Sequence, residues 1–162
     1  MQASEFVAAQ APLGNETEIH FVTRTCVEQQ NAPRRDPRNG QAIFDTFYDV
    51  VLHLLNRIGG LQQLYGIGWS GQRDFLKQRD TLLRSAKAIN RVSVPEELKM
   101  EYEEHYSSSR QRYEPFDGFR GKLCFAGEMA PFAELLRLGE IVHVGQQTSY
   151  GLGQFTLSSG RR

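Results

Sequence analysis

Cysteine is scarce in this chain. Cys26 and Cys124 are the two thiols in 162 residues, and they lie far apart in sequence. Neither stands in a Cys-x-x-Cys pair, which removes the usual basis for a structural zinc site. Free thiols in a reducing cytosol are the simplest reading, with a disulfide between the two as the alternative. Net charge is missing as well, since 19 basic side chains face 19 acidic ones. A nucleic-acid partner would therefore need a local basic patch rather than a basic whole. No apolar run approaches a membrane span, and no charged-then-apolar leader opens the chain. The expectation is a cytoplasmic protein with no membrane partner. There is no Walker motif, no His-Glu-x-x-His helix, no Ser/His/Asp spacing and no paired-carboxylate pattern. ATP-driven and metal-dependent chemistry thus lose their signatures, and neither cofactor nor metal is expected.

What is present suits one globular domain. Hydrophobic residues make up 40% and charged residues 23%, ordinary values for a chain that buries a single core. Residues 1–16 have weak periodicity, carry Pro12 and Gly14, and read as a flexible tail or linker. In EIHFVTRTCV, Ile19, Phe21 and Thr23 alternate with His20, Val22 and Arg24, the pattern of a strand. QQNAPRRDPRNG, with two prolines and Arg34, Arg35 and Arg38, reads as a loop, either a solvated connection or a phosphate contact. From Gln41 to Ile58 apolar residues recur at three- and four-residue steps, predicting an amphipathic helix that Gly59-Gly60 stops. RDFLKQRDTLLRSAKAIN predicts a second helix, with Phe75, Leu76, Leu82, Leu83, Ala86 and Ile89 inside. EELKMEYEEHY predicts a short charged helix.

The pattern then turns to alternation. Residues 110–114 and 119–125 predict two strands joined by the turn residues PFDG, a hairpin. Its strands would bring Arg110, Arg112, Arg120 and Lys122 into a basic stripe suited to RNA phosphates, or into an ordinary solvated sheet face. Pro131 opens a short helix with Phe132, Leu135, Leu136 and Leu138 as its inner stripe. LGEIVHVGQQTSYGLGQF follows, and QFTLS reads as a last strand. Strand, helix, strand, strand, helix, strand builds an α+β fold: a ferredoxin-like (RRM-like) antiparallel sheet with helices on one face and inserted helices.

The glycine segment carries the functional interest. Gly139, Gly145, Gly151 and Gly153 free the main chain, and successive peptide N–H groups in such turns form concave anion sites. Gln146, Gln147, Thr148 and Ser149 add hydrogen-bonding side chains, and Tyr150 adds a ring for base stacking. Such a loop would hold RNA phosphates without lysine. The plain structural alternative is a tight return from helix to strand. The segment lacks the Gly-Lys-Ser/Thr ending of a nucleotide P-loop.

The last third of the chain resembles the carboxy-terminal domain of the CRISPR repeat-RNA-processing endoribonucleases of the RAMP superfamily. The residues that carry the resemblance run in order. They are Gly118-Phe119 with Gly121, then Pro131-Phe132, Leu138-Gly139-Glu140, His143 with Gly145, and Gly151-Leu152-Gly153 before Phe155. SSSRQR at Ser107 to Arg112 is similar to a strand of the family, IHFVTRT at Ile19 to Thr25 to its opening strand, and the helix from Gln41 to the one that follows. The resemblance implies metal-independent cleavage leaving a 2′,3′-cyclic phosphate, with precursor CRISPR repeat RNA as partner. Family members usually carry two such domains in tandem, with the catalytic histidine in the first. The expectation is therefore that residues 17–162 form the single second domain and that the first is absent. A separate amino-terminal half, or a second copy of the chain, would complete the site.

Histidine suits RNA cleavage because its pKa lies near neutrality. Of four, His53 falls among helix core positions and His105 in a charged stretch. The catalytic candidates are His143, which precedes the glycine loop, and His20, on the opening strand; a hydrogen-bonded structural role is the competing reading for His143. The alternative at the level of function is a non-catalytic RNA-binding or scaffold subunit of a CRISPR effector complex, and a third is a folded but inactive remnant.

Overall fold

The computed structural model describes residues 13–27, 34–35, 42–65, 72–94, 97–115 and 117–159. Residues 1–12, most of the expected tail, lie outside them. So do most of the QQNAPRRDPRNG segment and the side chains of Arg34, Arg35 and Phe75.

The opening strand β1 (Glu16–Thr25) buries Ile19 and Phe21 completely and leaves His20 exposed, as its alternation requires. Two short strands, β2 (Arg34–Arg35) and β3 (Ala42–Ile43), pair with each other. Helix α1 (Phe47–Tyr65) then turns Phe47, Val50, Val51, Leu54, Leu55 and Ile58 inward. It starts later than the Gln41 expected from periodicity, because Thr46 and Asp49 form a reciprocal cap. The Thr46 N–H and Oγ1–H both donate to Asp49 Oδ2 at 2.8 Å, and the Asp49 N–H returns to Thr46 Oγ1 at 3.3 Å. Nor does Gly59-Gly60 stop it. Two glycines inside a helix cost about 1 kcal/mol each relative to alanine, but the helix continues to Tyr65, and Gln62 from that extension lines a groove shared with the other two helices.

Helix α2 (Gln72–Ala86) buries Leu83 and Ala86 but leaves Leu76 exposed, contrary to the expected inner stripe. Strand β4 (Asn90–Val92) pairs antiparallel with one end of β8 (Gly118–Ala126), and β5 (Lys99–Glu101) pairs with its other end. Together they form one interrupted edge strand. The expected charged helix over EELKMEYEEHY is therefore absent. Glu97 and Glu101 would stand four apart and repel on a helix, whereas pairing with β8 sets Met100 opposite Phe119 and packs it against the core.

The expected hairpin is also re-partnered. Strand β6 (Glu104–Ser107) pairs with β7 (Arg112–Pro115), with Tyr106 opposite Tyr113 and Ser108 to Gln111 turning between them. Both sides of β8 are already occupied, by β1 and by β4 with β5. Residues 112–115 had no open edge there, so they close on the segment before them as an inserted hairpin outside the main sheet.

A single 3-10 turn (Ala130–Phe132), with Pro131 in it, leads into α3 (Ala133–Val142). Strand β9 (Phe155–Ser159) completes the sheet beside β1. The strand order β4-β8-β1-β9 is the ferredoxin-like arrangement, so the α+β class holds. Its core is aromatic. Phe21 meets Phe119 edge-on at 5.2 Å, Phe44 and Phe155 close around them, and Phe47 meets Phe125 and Phe132. Each such side chain contributes roughly 1.5–3 kcal/mol by burial.

Candidate nucleic-acid interface

The glycine-rich loop leaves α3 at His143, which adopts φ 61°, a left-handed conformation uncommon for a side chain with Cβ. Two bonds fix this exit. The His143 N–H donates to Gly139 O at 2.9 Å, and Arg57 Nε of α1 donates to Val142 O at 3.3 Å. The half-buried imidazole turns back into the loop, with Nδ1 3.3 Å from Leu152 O. In the tautomer that makes this bond, Nδ1 carries the proton.

Two glycines let the loop close down. A Cβ on Gly145 (φ 87°) would sit 2.2 Å from Cys26 O, and one on Gly153 (φ 78°) 1.9 Å from Val144 O. The close approach creates hydrogen bonds: Gln146 N–H to Cys26 O at 2.8 Å, Gly153 N–H to Arg24 O at 2.8 Å, and Val144 N–H to Gly153 O at 3.0 Å. Tyr150 and Gly151 N–H groups bond to Gln147 O and Thr148 O inside a one-turn 3-10 helix (Thr148–Tyr150). Thr23 Oγ1 ties the far limb by donating to Gly151 O at 2.9 Å. Five loop amides are thus bonded to the protein's own carbonyls. What the loop offers outward is the edge formed by Gln146, Ser149, Tyr150 and Gly151, all exposed, with Gln147 and Thr148 half-buried behind them. Gly151 alone of the four has open space where a Cβ would be, and Gly139 is buried against Phe155 and Leu54.

The hairpin β6–β7 stands against this edge. The His105 and Tyr150 rings lie 5.5 Å apart, and Tyr106 meets Tyr113 edge-on at 5.3 Å. Tyr102, Tyr106, Tyr113 and Tyr150 are all exposed, from 48% at Tyr106 to 67% at Tyr113. Arg110 sits in the hairpin turn and Arg112 on β7, both exposed. Exposed rings interleaved with arginine are features on which unpaired bases can stack while phosphates meet positive charge.

The four predicted basic residues fall in two places. Arg110 and Arg112 belong to the hairpin. Arg120 and Lys122 lie on the outer face of β8, where Glu101 at 3.5 Å and Glu18 at 3.4 Å offset them. The single stripe expected from adjacent strands does not form, because β7 pairs with β6. His20 stands on that same outer face, opposite Lys122 on one side and Thr156 on the other. Tyr102, Tyr106 and Tyr113 were not among the residues singled out from the sequence. The signal for the last two was their equal distance from the serine-rich turn in EHYSSSRQRYEP, which sets them opposite each other in a hairpin. Among the described residues no group of three His, Cys, Asp or Glu side chains is placed to hold a metal ion, and no helix is long and apolar enough to cross a membrane.

A ferredoxin-like sheet thus carries the glycine-rich loop and the tyrosine- and arginine-bearing hairpin side by side. The family model for the CRISPR-associated endoribonuclease Cas6 matches residues 19–155, and the chain belongs to that family. This is the RAMP-superfamily resemblance read from the ordered motifs after Gly118. No curated protein matches. Among solved structures, Thermus thermophilus Cas6 aligns at a TM-score of 0.60 and 14% identity, over 98% of this chain and 58% of that one. A Cas6 product complex aligns at 0.60 and 15% identity, covering 98% and 56%. A partial Cas6-RT-Cas1–Cas2 complex aligns at 0.58 and 13%, covering 99% and 25%. The chain therefore spans a little over half the length of the Thermus protein.

Proposed function

We propose that the chain holds CRISPR repeat RNA through the exposed edge of its glycine-rich loop and the adjoining hairpin, as the carboxy-terminal half of a metal-independent RNA-processing endoribonuclease in antiviral defence. The observation that carries this reading is the His105–Tyr150 contact, which joins loop and hairpin into one aromatic surface beside Arg110 and Arg112. In this reading Gly139, Gly145 and Gly153 shape the loop. Gln146, Gln147, Thr148, Ser149, Tyr150 and Gly151 meet the RNA, and Arg120 and Lys122 extend the contact across the sheet. Family membership supports it, as does the likeness to a Cas6 solved with its product.

Cleavage in this reading needs a base to take the 2′-OH proton. That oxygen attacks the adjacent phosphorus, and an acid protonates the departing 5′ oxygen. The products are a 2′,3′-cyclic phosphate and a 5′-hydroxyl. His143 is engaged with Leu152 O and serves the loop, whereas His20 presents its ring to solvent beside Lys122. We therefore assign His20 as the candidate proton-transfer group of this chain. The two histidines stand on different elements, and this favours a second reading, a non-catalytic RNA-binding subunit of a CRISPR effector complex.

Incubation with end-labelled repeat RNA in EDTA tests both. Cleavage to a cyclic-phosphate end, abolished by His20→Ala and kept by His143→Ala, supports the nuclease assignment. Retention without cleavage supports the binding subunit. A protein that neither retains nor cuts the RNA refutes both.

A further inference from the structure

The last residues of β1 touch both halves of the surface described above, through different atoms. Main-chain oxygens grip the glycine loop, Arg24 O accepting from Gly153 N and Cys26 O, just past the strand, from Gln146 N; the Thr23 side chain adds Oγ1–H donating to Gly151 O. The Arg24 side chain turns the other way and forms an ion pair with Glu103, the residue before β6. The Arg24 side chain is 15% exposed and the Glu103 side chain 63%. Asp117, just before β8, reinforces the join, since its Oδ1 accepts from Glu103 N at 3.2 Å while its main-chain oxygen accepts from Cys26 Sγ–H at 2.8 Å. The hairpin takes no part in the main sheet. Its root is held by this cluster and its flank by the His105–Tyr150 contact.

We propose that Arg24 is a positioning residue that, through Glu103, sets the hairpin against the glycine-rich loop and so fixes the spacing of the two RNA-contacting edges. The proposal rests on the RNA-binding reading given above. Arg24 need not touch RNA. Its effect is the difference between a hairpin held at the loop and one that swings away from it.

The decisive variant is Glu103→Ala, because charge and position predict opposite signs. Removing a carboxylate beside an RNA-binding surface strengthens binding if only charge counts. If position counts, affinity for a labelled RNA carrying the host array's repeat falls by about two- to fivefold, the range for an ion pair with one well-exposed partner. Amide exchange in 104–107 and 112–114 rises by a similar factor. The reversed pair R24E/E103R restores both. The salt dependence of binding keeps its slope in Glu103→Ala and in Arg24→Ala, whereas loss of a phosphate contact lowers that slope by roughly one. Unchanged or tighter binding by Glu103→Ala, unchanged hairpin exchange, or no recovery in the reversed pair overturns the proposal. A wild-type chain that fails to bind the RNA refutes the functional reading instead, and the exchange measurement still decides whether Arg24 holds the hairpin.

Discussion

Replacing Gly145 and Gly151 by alanine, one at a time, separates what the loop needs in order to fold from what it offers to a ligand. Both glycines have φ near 80°, at 87° and 79°. Forcing a Cβ into that region costs about 1–2 kcal/mol at either position. Their surroundings differ. At Gly151 nothing lies within 4 Å of the new carbon, whereas at Gly145 it meets Cys26 O at 2.2 Å. That oxygen is main chain, one residue past the end of β1, and cannot rotate away. Relief requires the loop to lift, which breaks the 2.8 Å bond from Gln146 N to Cys26 O and forfeits about 1 kcal/mol more. The totals are about 2–3 kcal/mol for Gly145→Ala and about 1–2 kcal/mol for Gly151→Ala. For a domain of this size they correspond to falls in Tm of about 4–12 °C and about 2–8 °C. Scanning calorimetry on the two variants measures the difference, and RNA titration at a temperature where both remain folded reads the second role. Gly151→Ala, whose carbon faces open solvent at the exposed edge, weakens RNA binding although it destabilises the fold less than Gly145→Ala does. Equal losses of stability in the two variants would refute the close-approach argument.

Three further outcomes follow from named contacts. Tyr150→Ala removes a stacking ring worth about 1–3 kcal/mol, so RNA binding weakens roughly 5- to 150-fold in a filter-retention assay, while Tyr150→Phe stays near wild type. Burial pushes the Cys26 thiol up to about 11 from its ordinary 9.0, with Arg24 opposing the rise and Asp117 adding to it. The unfolded chain therefore releases this proton at lower pH than the folded one. Cys26's contribution to stability is full below pH 9 and is lost as pH rises toward about 11; denaturant midpoints across that window fall for wild type and fall less for Cys26→Ala. Thr46→Ala removes half of the cap on α1 and leaves Asp49, which is 3% exposed, without its Oγ1 donor. Stability drops by about 1 kcal/mol, measured by urea unfolding, and RNA affinity is unchanged.

Periodicity was a sound guide wherever one face of an element meets the core. Strand β1, helices α1 and α3 and strand β9 carry apolar residues at the spacing their burial demands, and each was legible; α2 was legible as a helix, although Leu76 does not share its buried face. It failed where pairing depends on which edge is still open. The segment around Met100 has too few apolar residues to display a period, and its strand character comes from β8, to which it is bonded. Residues 110–114 alternate as a strand should, but alternation does not name the partner. The same limit applied to the site. The glycine segment stood out by composition, yet whether its amides face solvent or the protein depends on Arg24 O, Cys26 O and Val144 O, which no local pattern reveals. The exposed tyrosines of the hairpin became visible as a surface only once Tyr106 was paired with Tyr113.

The residues that identify the family do mostly structural work in this chain, and this bears on where specificity resides. In the Leu138-Gly139-Glu140 motif, Gly139 leaves room for Phe155 and Leu54, where a Cβ would lie 2.7 and 2.8 Å from their side-chain atoms. Glu140 reaches across to the edge strand, its Oε1 accepting from Leu157 N at 2.7 Å while Oε2 meets Arg137 at 3.0 Å. A charged cap on an edge-strand amide docks α3 on β9 and also covers a donor that would otherwise invite another strand. Gly145 and Gly153 fold the loop in the same sense. A motif made of such residues specifies where the loop sits and how it turns, and it can be kept while the surface it presents changes. The exposed tyrosines around it, Tyr150, Tyr113 and Tyr106, lie between or outside the Gly-Phe-x-Gly, Leu-Gly-Glu and Gly-Leu-Gly pieces. If those residues choose among RNA sequences, grafting the hairpin 104–115 from a relative with a different repeat should transfer its preference, and grafting the glycine motif alone should not.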